Sequence, residues 1–143
     1  MYKGKNDQIL ENWNNFTYFI NYISKDEKLN SVVSDNFQIY QNLASNNIAL
    51  SNYQVGQYFR TPQVASFIIK EKNEDSEPVY QIVENCFDNF YKEVLTYLNY
   101  FPYTEIRIPE IKINGDQDDF DILINRLSVI MKEFGIYVSV YKM

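Results

Sequence analysis

The stretch that decides the fold is residues 104–142, which read TEIRIPEIKINGDQDDFDILINRLSVIMKEFGIYVSVYK. Apolar and polar residues alternate at its start and at its end, which is the period-two pattern of a strand. Between these ends, apolar residues recur every three or four positions, which predicts a helix that stops before Gly135. The stretch therefore predicts a strand–helix–strand unit, a building block of α/β domains.

The first strand of this unit, predicted over residues 104–113, carries four isoleucines: Ile106, Ile108, Ile111 and Ile113. In a regular strand the first two would face one side of the sheet and the last two would face the other. Pro109 lies between the pairs, and proline within a sheet is confined to edges and bulges. We therefore expect a bulge at Pro109 and Glu110 that returns all four isoleucines to the core.

Three further elements are predicted in the middle of the chain. Residues 79–99 carry apolar side chains at helical spacing, which predicts a long helix. Pro78 falls in its first turn, where proline is tolerated. Residues 53–60 and 64–72 are predicted to form a β-hairpin with its turn at Pro62. The second strand of the hairpin is a nearly unbroken β-branched run, which suits a strand buried on both faces.

The first fifty residues are interpreted as helical. Five large apolar residues recur at spacings of three and four: Ile9, Trp13, Phe16, Ile20 and Ile23. This pattern predicts a helix over residues 7–24, and a similar pattern predicts a second helix over residues 31–49. The expected fold is one α/β domain of the α+β type over residues 1–143, with residues 1–50 helical and residues 51–143 forming strands and helices. It has a small mixed sheet of four to five strands, packed by helices, and two N-terminal helices.

The residue types exclude several kinds of active site. The chain has no histidine, and its one cysteine, Cys86, falls in the apolar stripe of the long helix. Ser–His and Cys–His catalytic pairs and histidine-ligated metals are therefore excluded. The four glycines stand alone, so no glycine-rich phosphate loop can be identified. We expect no catalytic residue, no cofactor and no metal ion.

The charge and the aromatic content indicate which partners to expect. The formal net charge is −6 and the cations are scattered, so direct binding to nucleic acid is not expected. A single cysteine, without a signal-peptide or membrane-spanning pattern, indicates a cytoplasmic protein. Thirteen tyrosines are too many to bury, so several must lie at the surface, where tyrosine favours interfaces.

These features favour a non-catalytic cytoplasmic protein-binding module of the inhibitor, immunity or phage anti-defence type. Its partner would be a protein with a basic surface. The candidate binding residues are two tyrosines of the last strand and three carboxylates of one loop: Tyr137, Tyr141, Glu71, Glu74 and Asp75. If the last strand lies at a sheet edge, it could also pair with a second copy of itself in a homodimer.

Two alternatives stay open. One is a small-molecule or nucleotide-sensing domain with an aromatic pocket between sheet and helices. The other is a metal-dependent hydrolase that uses Glu110 and Lys112, because Glu110-Ile111-Lys112 resembles the Glu-x-Lys element of a family of metal-dependent nucleases. That chemistry also needs an aspartate on a preceding paired strand, where the long predicted helix intervenes instead.

Overall fold

The computed structural model describes residues 1–26, 31–34, 36–37, 52–113 and 117–143. These residues form a six-stranded sheet. Its strands are β1 (Tyr2–Lys5), β2 (Thr17–Ser24), β3 (Tyr58–Thr61), β4 (Val64–Lys70), β5 (Glu105–Pro109) and β6 (Tyr137–Lys142). The α-helices are a single turn, α1 (Ser31–Ser34), and two long helices, α2 (Tyr80–Thr96) and α3 (Gln117–Lys132). Short 3-10 helices cover Asn6–Gln8 and Leu98–Tyr100.

The order of the strands across the sheet is β1-β6-β5-β2-β4-β3. Every neighbouring pair is parallel except β3 and β4, which form an antiparallel hairpin. The long helices supply the crossovers that parallel strands require: α2 connects β4 to β5, and α3 connects β5 to β6. As a result, the carboxyl ends of β1, β6, β5, β2 and β4 all meet at one end of the sheet.

The prediction of a helix over residues 7–24 is wrong. Residues 17–24 form β2, a central strand between β5 and β4, and all eight of its residues are buried. Core layers cover both faces of the sheet, so a central parallel strand needs no polar face and shows no alternation. In such an apolar run, positions three and four apart are apolar by coincidence, which explains why Ile20 and Ile23 fitted a helical stripe.

Within the described part of the second predicted N-terminal helix, over residues 31–49, the structure has the single turn α1. Residue 35 and residues 38–49 lie outside the described residues. The sheet has six strands rather than four to five, because β1 and β2 come from the first fifty residues. A small α/β domain with a mixed sheet is therefore confirmed, and the two N-terminal helices are not.

The β-hairpin and the two long helices are confirmed. β3 and β4 pair around a turn at Pro62 and Gln63, and residues 64–69 are buried on both faces. Helix α2 begins at Tyr80, two residues after Pro78. Gly135 follows α3 with a φ of 74°, a left-handed conformation that glycine adopts without strain.

The expected bulge in β5 is not observed. Residues 105–107 pair with β2 and residues 105–109 pair with β6, both without a register shift, and the strand ends at Pro109. Three of the four isoleucines are fully buried and the fourth, Ile111, is half-buried against the same core. The change of side-chain parity thus marks the point where the chain leaves the sheet, because proline cannot donate to a continuing ladder.

The single thiol lies in the core layer between the sheet and α2. Cys86 is buried, with its Sγ 3.5 Å from the carbonyl oxygen of Gln57 and 3.7 Å from that of Ile68. Burial raises the pKa of the Cys86 thiol to about 12, which suppresses the reactive thiolate at neutral pH.

Glu105, at the start of β5, contacts side chains of β1, β6 and β5 itself. Its carboxylate accepts hydrogen bonds from Ser139 Oγ at 2.6 Å, from Arg107 Nε at 3.0 Å and from Lys3 Nζ at 3.3 Å. Burial acts to raise the pKa of Glu105, but the hydrogen bonds from Ser139 and Arg107 outweigh it and hold that pKa below its ordinary value of 4.5. The folded protein therefore favours the ionised carboxylate.

Glu105→Gln is expected to lower the free energy of unfolding by about 1–2 kcal/mol at pH 7, because a charged acceptor of several hydrogen bonds is lost. A pKa that is lower in the folded state stabilises the protein above the unfolded-state pKa, and this stability is lost as pH falls through the folded-state pKa. Urea unfolding at pH 7 and at pH 3 should therefore show a smaller acid-induced loss in the variant. Glu133→Gln, at an exposed position, is the control. Equal acid-induced losses in wild type and Glu105→Gln would contradict the prediction.

Candidate functional site

A cleft of about 390 Å³ opens at the carboxyl ends of the parallel strands. This end of an open α/β sheet is where ligands bind, because the loops that leave neighbouring strands in opposite directions create a crevice. The strands that follow β2 along the chain, β3 and β4, lie on one side of it in the sheet. β5 lies on the other side of β2, and β6 follows β5 further in that direction. The cleft is lined by residues from both sides of this switch point: Asn6, Tyr22, Val32, Ile69, Lys70, Pro78, Pro109, Glu110, Ile111 and Met143.

The floor of the cleft joins β2 to β5. Tyr22 is fully buried, and its hydroxyl donates a hydrogen bond to the carbonyl oxygen of Pro109 at 2.8 Å. Burial raises the pKa of Tyr22 well above its ordinary value, so the phenol stays protonated and keeps this bond. The hydrogen bond between Tyr22 and Pro109 thus joins β2 to β5 beneath the cleft, at the switch point.

Glu110 brings a carboxylate to the cleft wall. It is 8% exposed and directly follows β5. Its oxygens lie 3.2 Å from the hydroxyl of Tyr2 and 3.3 Å from the backbone nitrogen of Met143, which donates to it. The Tyr2 hydroxyl also lies 2.6 Å from Asp121 Oδ1 on α3, and burial together with these carboxylates raises the pKa of Tyr2. Glu110 is thus contacted by Tyr2 of β1 and by the backbone of Met143, directly after β6, whereas Asp121 of α3 contacts Tyr2.

Two other polar groups line the cleft. The side-chain oxygen of Asn6, directly after β1, is buried and has no hydrogen-bond partner in the protein. A buried acceptor without a partner is destabilising, so a ligand that donates to it would gain from the contact. Lys70, at the end of β4, donates from Nζ to the carbonyl oxygen of Glu74 at 2.9 Å. Among the described lining residues, Lys70 and Glu110 carry the formal charges.

This arrangement suits the binding of a small molecule. The walls are mainly aliphatic and proline side chains, and a few polar groups converge on the interior. Among the residues that the structure describes, no three Asp, Glu or Cys side chains are grouped as metal ligands. The metal-dependent hydrolase alternative requires both Glu110 and Lys112. Glu110 lines the cleft, whereas Lys112 is exposed and does not line it.

The two candidate tyrosines do not form one exposed face. Tyr137 is 52% exposed at the amino end of β6, at the opposite end of the sheet from the cleft. Tyr141 is 5% exposed, with its ring 5.8 Å from the guanidinium of Arg107. The predicted homodimer also lacks its premise, because β6 lies inside the sheet between β1 and β5. Among the described strands, the edges are β1 and β3.

The three candidate carboxylates lie on the loop that runs from Lys70 to Pro78. Glu71, Glu74 and Asp75 are exposed there, and Glu71 lies 3.9 Å from Lys25 Nζ. The loop starts and ends at cleft residues, so these carboxylates stand near the cleft without lining it. A binding role for them stays a prediction.

Sequence reasoning missed the cleft itself. Its lining combines residues that follow different strands and are up to 137 positions apart, from Asn6 to Met143. The available signal is that polar residues at the carboxyl ends of parallel strands meet at one end of a sheet. That signal could not be used while β2 was interpreted as a helix.

Comparison with known proteins shows the fold. No protein-family model and no curated protein matches the sequence. The macrodomain of Thermus aquaticus DarG is similar with a TM-score of 0.71 at 16% identity, over 100% of this chain and 99% of that one. The macrodomain of Mycobacterium tuberculosis DarG has a TM-score of 0.67 at 10% identity, over 99% of this chain and 97% of that one. A macrodomain protein from Streptomyces coelicolor has a TM-score of 0.63 at 13% identity, over 99% of this chain and 97% of that one. The chain therefore has a macrodomain-like fold.

This finding corrects the functional prediction. Macrodomains bind ADP-ribose and often act on it by hydrolysis, which conflicts with a non-catalytic inhibitor or immunity module acting through an acidic, tyrosine-rich surface. In the described part of the chain, no helix is long and apolar enough to cross a membrane.

Proposed function

We propose that this chain binds ADP-ribose in the cleft at the carboxyl ends of its parallel strands. The observation that carries the proposal is the position of the cleft at the switch point between β2 and β5 of a macrodomain-like sheet. Macrodomains bind ADP-ribose, and the volume of about 390 Å³ lies within the range of pockets that bind small ligands.

The chemistry of the lining supports a ligand that is part apolar and part polar. The apolar walls can pack against a nucleobase, and Asn6, Lys70 and Glu110 offer hydrogen bonds and charge around it. The four glycines of the sequence form no glycine-rich loop, so a diphosphate would depend on side chains more than on a glycine-lined backbone cradle.

The proposal is tested by isothermal titration of the full chain with ADP-ribose, and we expect one molecule bound per chain. Ile111→Trp adds an indole to the cleft wall and should abolish measurable binding, because a filled cleft excludes the ligand. Val129→Trp adds the same side chain at a 66% exposed position on α3 and should leave the affinity within about twofold of wild type.

Failure of the wild-type chain to bind ADP-ribose would contradict the proposal. Equal loss of affinity in both tryptophan variants would also contradict it, because the binding site would then not be the cleft. Thermal melting of each variant confirms that the comparison is made between folded proteins.

A further inference from the structure

A second pocket, of about 280 Å³, lies on the face of the sheet opposite to α2 and α3. Ile106 and Ile108 of β5 pack in the core beside these helices, so Arg107 between them points to the other face. We call this site the Arg107 pocket, and its lining residues are Lys3, Gln8, Glu11, Asn12, Arg107 and Tyr141. All of these side chains carry a polar group, whereas the cleft is mainly apolar, so the two sites suit different ligands.

The Arg107 pocket is a neighbour of the cleft and not a part of it. Arg107 and Tyr141 come two positions before the cleft residues Pro109 and Met143, which is about 7 Å along each strand. None of the described lining residues is shared by the two sites. A molecule in the Arg107 pocket can therefore bind without displacing a ligand from the cleft.

Arg107 brings available hydrogen-bond donors to this pocket. Its Nε donates to Glu105, and its Nη1 donates to the carbonyl oxygens of Ile9 and Glu11. These bonds fix the guanidinium and use three of its five N–H groups. No described residue accepts a hydrogen bond from Nη2, although Arg107 is only 6% exposed. The two N–H groups of Nη2 are therefore available to a ligand, and an anionic acceptor would gain most from them.

Two neutral side chains add further donors. Gln8 Oε1 accepts a hydrogen bond from the backbone nitrogen of Lys5 at 2.9 Å, which leaves the N–H groups of the Gln8 amide available. The Tyr141 hydroxyl makes no hydrogen bond to a described residue, and burial raises the pKa of Tyr141, so the hydroxyl stays protonated and can donate. Lys3 adds a half-exposed cation. Donors from β1, β5, β6 and the first 3-10 helix thus line one pocket.

The neighbouring carboxylates leave this excess of donors in place. Glu105 already accepts hydrogen bonds from Ser139, Arg107 and Lys3. Glu11 is exposed, and it is its backbone carbonyl that accepts from Arg107. The described lining carries two cations and one carboxylate, in a chain whose net charge is −6. The pocket therefore favours an anion with several acceptor oxygens.

From these contacts we propose that the Arg107 pocket binds a phosphate group, either as the free ion or on a small monoester. Arg107, Gln8 and Tyr141 donate to its oxygens and Lys3 supplies charge. A tetrahedral phosphate offers acceptors to donors that arrive from several directions, whereas a planar carboxylate has two oxygens. The volume of about 280 Å³ equals about nine water molecules at about 30 Å³ each, so a phosphate leaves room for a small organic group.

The site is tested by NMR titration of the full ¹⁵N-labelled chain with sodium phosphate at constant ionic strength. We expect saturable shifts at the Gln8 side-chain amide and at Arg107 Nε–H. Tyr141→Phe removes only a hydroxyl that has no described protein partner, so the fold should be kept while phosphate binds about fivefold more weakly. Tyr137→Phe, on the same strand and outside the pocket, is the matched control and should stay within about twofold of wild type.

The charge at the mouth of the pocket is tested separately. Lys3→Gln should weaken phosphate binding by about threefold or more, because a cation near the anion is lost. Lys5→Gln is the control, since it removes an exposed lysine of the same strand that does not line the pocket. Unchanged phosphate affinity in both Tyr141→Phe and Lys3→Gln would overturn the inference.

The source of the phosphate is identified by comparing inorganic phosphate with glycerol 3-phosphate. Tighter binding of either one supports the site and names the source, whereas glycerol alone binding as tightly as glycerol 3-phosphate would overturn it. Ile111→Trp, which fills the cleft, should leave the phosphate shifts unchanged, and Tyr141→Phe should leave the affinity for ADP-ribose within about twofold. Phosphate shifts that are absent, or that Ile111→Trp abolishes, would contradict the inference. Failure to bind ADP-ribose would instead count against the proposed function alone.

Discussion

Arg107→Met is expected to lower the free energy of unfolding by about 3–5 kcal/mol, because it leaves buried hydrogen-bond acceptors without their donor. Arg107 is 6% exposed in β5. Its Nη1 donates to the carbonyl oxygens of Ile9 at 2.8 Å and Glu11 at 2.6 Å, and its Nε donates to Glu105 at 3.0 Å. Arg107 thus ties the segment after β1 to the centre of the sheet.

Urea unfolding at pH 7 measures this loss, with Arg126→Met as the control. Arg126 is a half-exposed arginine on α3 that pairs with Glu84 and Asp88 at 3.1 and 3.4 Å, and exposed pairs contribute less than about 1 kcal/mol. The loss of stability for Arg107→Lys should fall between the losses for Arg107→Met and Arg126→Met. The lysine ammonium keeps the charge but lacks the planar guanidinium that reaches two carbonyl oxygens. Similar losses for Arg107→Met and Arg126→Met would contradict the structural role assigned to Arg107.

Phe67→Ala is expected to lower the free energy of unfolding by about 3–5 kcal/mol, which is typical of removing a fully buried aromatic ring. Phe67 is 0% exposed in β4, on the face that packs against α2. Its ring centroid lies 4.9 to 6.1 Å from those of four aromatic neighbours: Tyr22, Tyr58, Phe87 and Phe90. The variant would lose apolar burial, ring–ring contacts and the packing that supports the Tyr22 floor of the cleft.

Chemical unfolding of Phe67→Ala and of Phe16→Ala gives the comparison. Phe16 is 55% exposed, so its truncation should change stability by no more than about 0.5 kcal/mol. Phe67→Leu retains much of the side-chain volume and should recover part of the loss. A loss below about 1 kcal/mol for Phe67→Ala would show that the surrounding rings collapse into the space and that the cluster is not tightly packed.

The elements predicted correctly are those with a strong local signal. The amphipathic spacing of α2 and α3, the left-handed Gly135 and the β-branched run of β4 act over a few residues, so they can be seen without knowing the rest of the chain. β2 carries the same kind of nearly unbroken apolar run as β4, interrupted by Asn21 as β4 is by Ser66. Ile20 and Ile23 of β2 continue a helical spacing that begins at Ile9, Trp13 and Phe16. This match led to the wrong assignment, because periodicity cannot separate a fully buried strand from a helix.

The functional prediction depended on charge and composition, which describe the surface and not the arrangement of strands. A net charge of −6 and exposed tyrosines such as Tyr137 are properties that many unrelated proteins share. Glu110 was noticed because of its neighbour Lys112, yet the structure relates it to Tyr2, Asn6 and Met143. These partners belong to distant parts of the sequence, and Asn6, Glu110 and Met143 meet because β1, β5 and β6 end side by side.

The sequence by itself determined the α/β class, the two long helices, the hairpin and the absence of histidine chemistry, because each depends on local spacing or on residue types. Only the tertiary structure decided the strand order, the internal position of β6 and the cleft between Lys70 and Glu110. The physical reason is that hydrogen bonding between parallel strands joins segments separated by whole helices. No local pattern records which strand will pair with which, and the ligand cleft is a consequence of that pairing.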